Sequence, residues 1–145
     1  MHCETLKREH LQQIDPAGGL DVITETAFST LCNGIDGVIG FTLVHNNRII
    51  AIGGIYELWK GVGEAFAIMG EGAFLYPKSL FATFSRNLET GIKIGNYRRI
   101  QATIKEGFDA GIRFIEHLKF KSEGLLEKWG PDGNNYYMYA RIIWP

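Results

Sequence analysis

One glutamate, a pair of spaced glycines and a row of tyrosines are the residues of this chain whose types and spacing could do chemistry. Glu64 heads the apolar stretch Glu64 to Met69, directly after Gly61-Val62-Gly63. A carboxylate on an apolar strand end can have its pKa raised by burial toward neutrality, where it can serve as a general base. Without that chemistry, Glu64 is a solvated charge at a strand start. Gly70 and Gly72 precede a helix that begins near Tyr76-Pro77, and Lys78 and Ser79 add a cation and a hydroxyl to its first turn. A helix N-terminus attracts anions because its first amides have no intrahelical partner. Glu71 opposes this with a negative charge and Pro77 lacks one amide, and a plain turn accounts for the same glycines. Tyr136, Tyr137 and Tyr139 alternate across the last strand, with Tyr137 and Tyr139 on one face. Tyr137 is the candidate proton donor or substrate-positioning group; packing alone also favours aromatic residues in strands.

Metal chemistry finds no pattern. Cys3 and Cys32 lack a paired spacing, and His2, His10, His45 and His117 are dispersed, with no CxxC or HExxH among them. No metal site is expected. His117, beside Arg113, reads as exposed. The formal net charge of −1 gives no attraction to nucleic acid or anionic membrane, and the short basic group Lys93, Arg98 and Arg99 lacks interleaved aromatics. No apolar run is long enough to span a bilayer, and the first residues lack the apolar core of a signal peptide, so a soluble, intracellular protein is expected, or one carried in a larger assembly.

The elements that must position these residues follow from pattern. With 145 residues, 46% of them hydrophobic, the chain can bury one substantial core, so residues 1–145 are read as a single domain. His2 to Lys7 reads as a short strand and Arg8 to Gln13 as a helix. Asp15 to Gly19 breaks it, and Leu20, Ile23, Ala27 and Leu31 recur at helical spacing before turns at Asn33-Gly34 and Asp36-Gly37. Val38 to Val44 and Arg48 to Ile55 form a hairpin around His45-Asn46-Asn47, since asparagine tolerates positive φ. Gly53-Gly54 permits a bulge or a close backbone approach, Glu57 to Gly63 is the next turn, and Glu64 to Met69 is a third strand.

Leu80, Phe81, Phe84, Leu88 and Ile92 then mark a long helix ending at Gly95-Asn96, followed by a strand over Arg99 to Ile104. Asp109 can cap a further helix with Ile112, Ile115 and Leu118 on its apolar face. Two final strands, around Gly124 to Lys128 and Tyr136 to Ile143, are joined by Gly130-Pro131-Asp132-Gly133. The two long helices are expected on opposite faces of the sheet, burying Phe84 and Leu88 on one side and Ile112 and Ile115 on the other. Periodicity supports a mixed α+β domain. Trp59, in a turn, and Trp144, after the last strand, are candidates for contact with a partner or for folding back onto the core.

From Tyr97 onward, the strand ending near Ile104, the helix closing in Leu118-Lys119-Phe120, and Ser122-Glu123-Gly124 leading into a tyrosine-rich hairpin resemble the C-terminal half of GNAT-type N-acetyltransferases. Tailed-phage and bacterial GNAT-like proteins share this ending. The resemblance implies a GNAT fold, a mostly antiparallel sheet with helices on both faces. It implies acetyl-CoA held where the strands Glu64 to Met69 and Arg99 to Ile104 diverge. Backbone of Ala65, Ala67 and Met69 would pair with the pantetheine arm, and Gly70, Gly72, Lys78 and Ser79 would meet the pyrophosphate. Glu64 stands where some members of the family place a catalytic base.

The sequence also departs from the family pattern. Ala67 replaces a polar residue before the glycines, Phe108 and Ile115 take the positions of an asparagine and a proton-donating tyrosine, and Lys119 stands where a helix-ending glycine is usual. Two functions follow from the resemblance. One is an acetyl-CoA-dependent N-acetyltransferase acting on a small-molecule or peptide amine. The other is an inactive structural or binding protein with protein partners or copies of itself, such as a phage virion or host-interaction component. Its location would be the cytoplasm, or the host cytoplasm or virion if a phage encodes it.

Overall fold

The computed structural model describes residues 1–14 and 38–144. The expected helix over Gly19 to Leu31, the turns at Asn33-Gly34 and Asp36-Gly37, and Cys32 lie outside the described residues. Strand β1 (His2–Thr5) and helix α1 (Arg8–Gln13) are followed by β2 (Val38–His45), β3 (Arg48–Trp59) and β4 (Val62–Met69). Helix α2 (Pro77–Gly95), β5 (Arg99–Lys105), α3 (Asp109–His117), β6 (Lys121–Leu126) and β7 (Tyr136–Ile142) complete the order. The seven strands form one sheet, β1-β2-β3-β4-β5-β7-β6. Every neighbouring pair is antiparallel except β4 and β5, which run parallel. Helix α2 supplies the crossover that a parallel pair requires.

Local chemistry explains most boundaries. Asn46 and Asn47 take φ of 50° and 61°, the paired left-handed conformation of a tight hairpin between β2 and β3. Gly53 and Gly54 stay in register and form no bulge. They serve close approach: a Cβ on Gly53 would lie 2.6 Å from the Phe84 ring and 2.8 Å from that of Phe41. The turn expected over Glu57 to Gly63 is much tighter. β3 runs on to Trp59 and the chain reverses at Lys60-Gly61, with Gly61 at φ 89°. Asp109 does not cap α3; Phe108 occupies the cap position and no side chain bonds there.

The core has two parts. Leu80, Phe84, Ile92, Ile115 and Leu118 pack with Phe41, Ile55 and Ile100 on one face of the sheet. Leu11 and Ile14 cover Ile52 and Ile68 on the other. Helices therefore lie on both faces, but α2 and α3 share one, which corrects the expectation that they would be separated. The rings of Phe84 and Phe114 meet edge to face at 5.2 Å. The reason is topological. β6 runs parallel to β5, so β4-α2-β5 and β5-α3-β6 are both crossovers advancing in the same direction along the sheet. Right-handed connections then place both helices on the same side.

The end of α3 is the one strained point the sequence foretold. Lys119 sits at φ 74°, its N–H donating to Glu116 C=O (3.0 Å), while Phe120 N–H donates to Ile115 C=O (3.3 Å). This is the Schellman closure, which puts its glycine position on a lysine. Lys119→Gly should therefore stabilise the protein by about 1 kcal/mol, visible as a higher Tm. An equal or lower Tm would contradict the strain.

Candidate active site at the strand splay

β4 and β5 are paired only over Val62 to Glu64 and Arg99 to Gln101; beyond that they diverge. A cavity of about 160 Å³ opens at the divergence, walled by Ala65, Ala67 and Met69 of β4, Ala102 and Ile104 of β5, and Phe84, Phe114 and Ile115 of the two helices. The backbone phase along β4 is fixed by Gly70, whose N–H donates to Ile50 C=O (2.8 Å). That bond continues the register in which Met69 faces Ala51. Bonded and non-bonded pairs alternate along an antiparallel ladder. Ala65, Ala67 and Met69 therefore turn their N–H and C=O groups away from β3 and toward the gap. The small Ala65 and Ala67 side chains, on the face of α2 and α3, leave room in the cavity.

Glu64 holds the last paired position before the gap, opposite Gln101 on β5 and Tyr56 on β3. It points to the face that carries Phe66 and Ile68, away from α2 and α3, by strand alternation. Burial raises its pKa from the ordinary 4.5 to about 7, against a hydrogen bond from the Gln101 side chain and the charge of Arg99, which pull it down. Burial also raises the Tyr56 hydroxyl, helped by the Glu64 carboxylate beside it. A carboxyl group poised near neutral pH at the edge of a cleft is what a general base needs.

The other expected residues divide. Gly72 takes φ 84°, and a Cβ there would meet only Leu75 Cδ1 at 3.9 Å, so the backbone lies open to an approaching group. Gly70 does not share this role. Its amide is taken by Ile50, and a Cβ would press on the Ile49 and Ile50 carbonyls at 3.1 Å, so this glycine serves strand contact. Nor does the helix follow at once: a 3-10 turn, Ala73–Leu75, comes first, and α2 begins at Pro77. The α-helical ladder opens with Leu80 N–H to Tyr76 C=O (2.9 Å). The amides of Lys78 and Ser79 fall in the first turn, where no intrahelical acceptor exists, and both residues are exposed.

Tyr137 is not brought to Glu64. It shares the α2 and α3 face with Tyr139, and its hydroxyl donates to Glu106 (3.4 Å) without lining the cavity. The Tyr139 hydroxyl donates to Glu116 (3.3 Å). Phe108 and Ile115 line the cavity with apolar surface.

Gln101 and Tyr56 escaped the sequence reading because only strand register sets them beside Glu64. Arg99, read there as part of a basic group, forks onto Glu123 through Nη1 (2.9 Å) and Nη2 (2.6 Å). Trp59 and Trp144 are 61% and 80% exposed, so neither folds back onto the core. Among the described residues, no three His, Cys, Asp or Glu side chains are placed to hold a metal, and no helix is long and apolar enough to cross a membrane.

No family model and no curated protein matches the chain in sequence. Solved structures match it over nearly its whole length. Ard1 from Thermoplasma volcanium aligns with a TM-score of 0.76 at 13% identity, covering 99% of this chain and 98% of its own. A GNAT-family acetyltransferase from Bacillus anthracis aligns at 0.73 and 18% identity over 97% and 93% of the two chains. A spermidine N-acetyltransferase variant from Vibrio cholerae aligns at 0.67 and 14% identity over 98% and 95%. With the sheet order and the splayed parallel pair, these similarities establish the GNAT fold.

Proposed function

We propose that this chain is an N-acyltransferase that passes an acetyl group from acetyl-CoA to an amine. The observation that carries the reading is Glu64, a mostly buried carboxyl with a pKa near 7 at the point where β4 and β5 part. The gap fits the pantetheine arm, because the β4 amides and carbonyls at Ala65, Ala67 and Met69 face it without a strand partner. Gly72, Lys78 and Ser79 would meet the pyrophosphate, Gly72 through its open backbone and the other two through first-turn amides. Acetyl-CoA would supply an activated thioester, whose C–S bond breaks as the amine nitrogen bonds to the carbonyl carbon.

Glu64 accepts the proton that the amine sheds, on the face opposite α2 and α3. Ile115 and Phe108 at the cavity wall cannot donate a proton to the departing thiolate, which takes one from water. Tyr137, tied to Glu106 on the α2 and α3 face, lies across the sheet from Glu64 and takes no part in this proton transfer. The amine class rests on fold similarity to proteins such as the spermidine N-acetyltransferase. Incubating the protein with acetyl-CoA and a panel of polyamines and peptide N-termini, with acetylated products read by mass spectrometry, tests the reading; products at the rate of a protein-free control would reject it.

One further prediction separates binding from chemistry. Gly72→Val adds bulk where the backbone is open and forces a β-branched residue to φ 84°. Acetyl-CoA affinity should fall at least about tenfold, a loss of about 1.4 kcal/mol. Unchanged affinity in calorimetry would remove Gly72 from the cofactor site.

A second reading, a GNAT-fold binding protein without turnover, is favoured by the engaged Gly70 amide and the apolar Phe108 and Ile115. No acetyl-CoA binding at millimolar cofactor, or binding without transfer to any amine, is its signature.

A further inference from the structure

We propose that Gln101 is a positioning residue for Glu64, with its side-chain amide locked in one orientation by an Arg99–Glu123 clamp that reaches over β7 from the outer strand β6. The catalytic consequence rests on the acyl-transfer reading, but the geometry and its test do not.

The argument starts from donors and acceptors. Arg99 gives both terminal nitrogens to Glu123, at 2.9 and 2.6 Å, and its Nε to Gln101 Oε1 at 3.0 Å. A guanidinium only donates, and its planar fork fixes the carboxylate it grips. Gln101 Oε1 is thereby assigned as acceptor. The other end of the amide, an NH₂ that can only donate, is then left for Glu64, which pairs with Gln101 across the β4–β5 register; a donor there favours the ionised carboxylate. The flipped amide would set an oxygen against the Glu64 carboxylate and an NH₂ against the Arg99 donor, so the clamp excludes it.

Position along β6 supports the same conclusion. The β6–β7 register slips between Ser122 and Gly124, leaving Glu123 as the extra residue of a bulge. A bulge re-aims a side chain, and here it delivers a carboxylate from an exposed edge strand to Arg99. Among the described residues, the polar groups around Glu64 are Gln101 and Arg99 from β5 and Tyr56 from β3, with Glu123 one step beyond. Gln101 is a neutral donor, so removing it should shift the Glu64 titration without changing any charge.

The test is a ¹³C NMR titration of the Glu64 carboxyl in the full chain, without acetyl-CoA. Gln101→Met should raise the midpoint by about one pH unit, a tenfold change in proton affinity. Arg99→Lys keeps the charge but loses the fork and the Nε donor, so it should raise the midpoint in the same direction; this variant also carries the test if Gln101→Met does not fold. A midpoint unchanged in a folded Gln101→Met, or unchanged in Arg99→Lys, would overturn the proposal. In turnover assays the acidic limb of the pH–rate profile should move with the NMR midpoint. Failure of acetyl-CoA to bind would reject the acyl-transfer reading and leave the titration result standing.

Discussion

Replacing Glu64 by glutamine should slow acetyl transfer by about 10²- to 10⁴-fold, the usual contribution of a positioned general base, while acetyl-CoA affinity stays unchanged. The same substitution should make the protein more stable at alkaline pH. The Glu64 carboxyl has a pKa of about 7 in the folded chain against an ordinary 4.5, so the folded state holds its proton more tightly than the unfolded state does. Stability therefore falls as pH rises from about 4.5 through 7 and levels off above that range. The full effect is about 3 kcal/mol at one pKa unit per 1.36 kcal/mol, or roughly 6–12 °C in Tm for a chain of this size. Glu64→Gln should recover much of that at pH 8 and nothing at pH 4. Thermal melts at the two pH values check the sign. Equal gains at both, or a loss at pH 8, would mean that Glu64 is not held near neutrality by burial.

Phe84→Ala should cost about 3–5 kcal/mol, the range for a large aromatic deleted from a core. The ring is 6% exposed, meets Phe41 edge to face at 4.7 Å and Phe114 at 5.2 Å, and fills the space that Gly53 leaves open. It thus joins β2, β3, α2 and α3 at one point, so its loss opens a void that neighbours on four elements cannot close together. Urea unfolding of the variant should show the loss at an unchanged m-value. A variant within about 1 kcal/mol of the parent would contradict the packing.

The antiparallel run of β2, β3 and β4 and the parallel pair β4 and β5 were readable from the chain; the place of β7 between β5 and β6 was not. His45-Asn46-Asn47 fixes a hairpin, and the helix-period residues Leu80 to Ile92 mark the crossover that lets the strands on either side of them run parallel. The boundaries of β6 were not readable. Lys121 to Glu123 belong to the strand, but the edge is exposed along nearly its whole length and shows no alternation. The shared face of α2 and α3 was hidden for a different reason: it depends on the handedness of two crossovers, which no local pattern records.

At the site, Glu64 was legible as a carboxylate on an apolar strand. Its environment was not, because Gln101 lies opposite it only through the β4–β5 register and Glu123 reaches Arg99 only through a bulge. The glycine pair looked symmetric in sequence and is not: Gly70 packs against β3, whereas Gly72 stands open.

Acyl transfer requires that the gap between β4 and β5 accept acetyl-CoA, and a calorimetric titration of the unmodified protein at physiological salt measures this directly. The account predicts saturable binding of one acetyl-CoA per chain, with a dissociation constant between about 1 μM and 1 mM, the range usual for enzyme substrates. Absence of any binding heat at millimolar acetyl-CoA would contradict it.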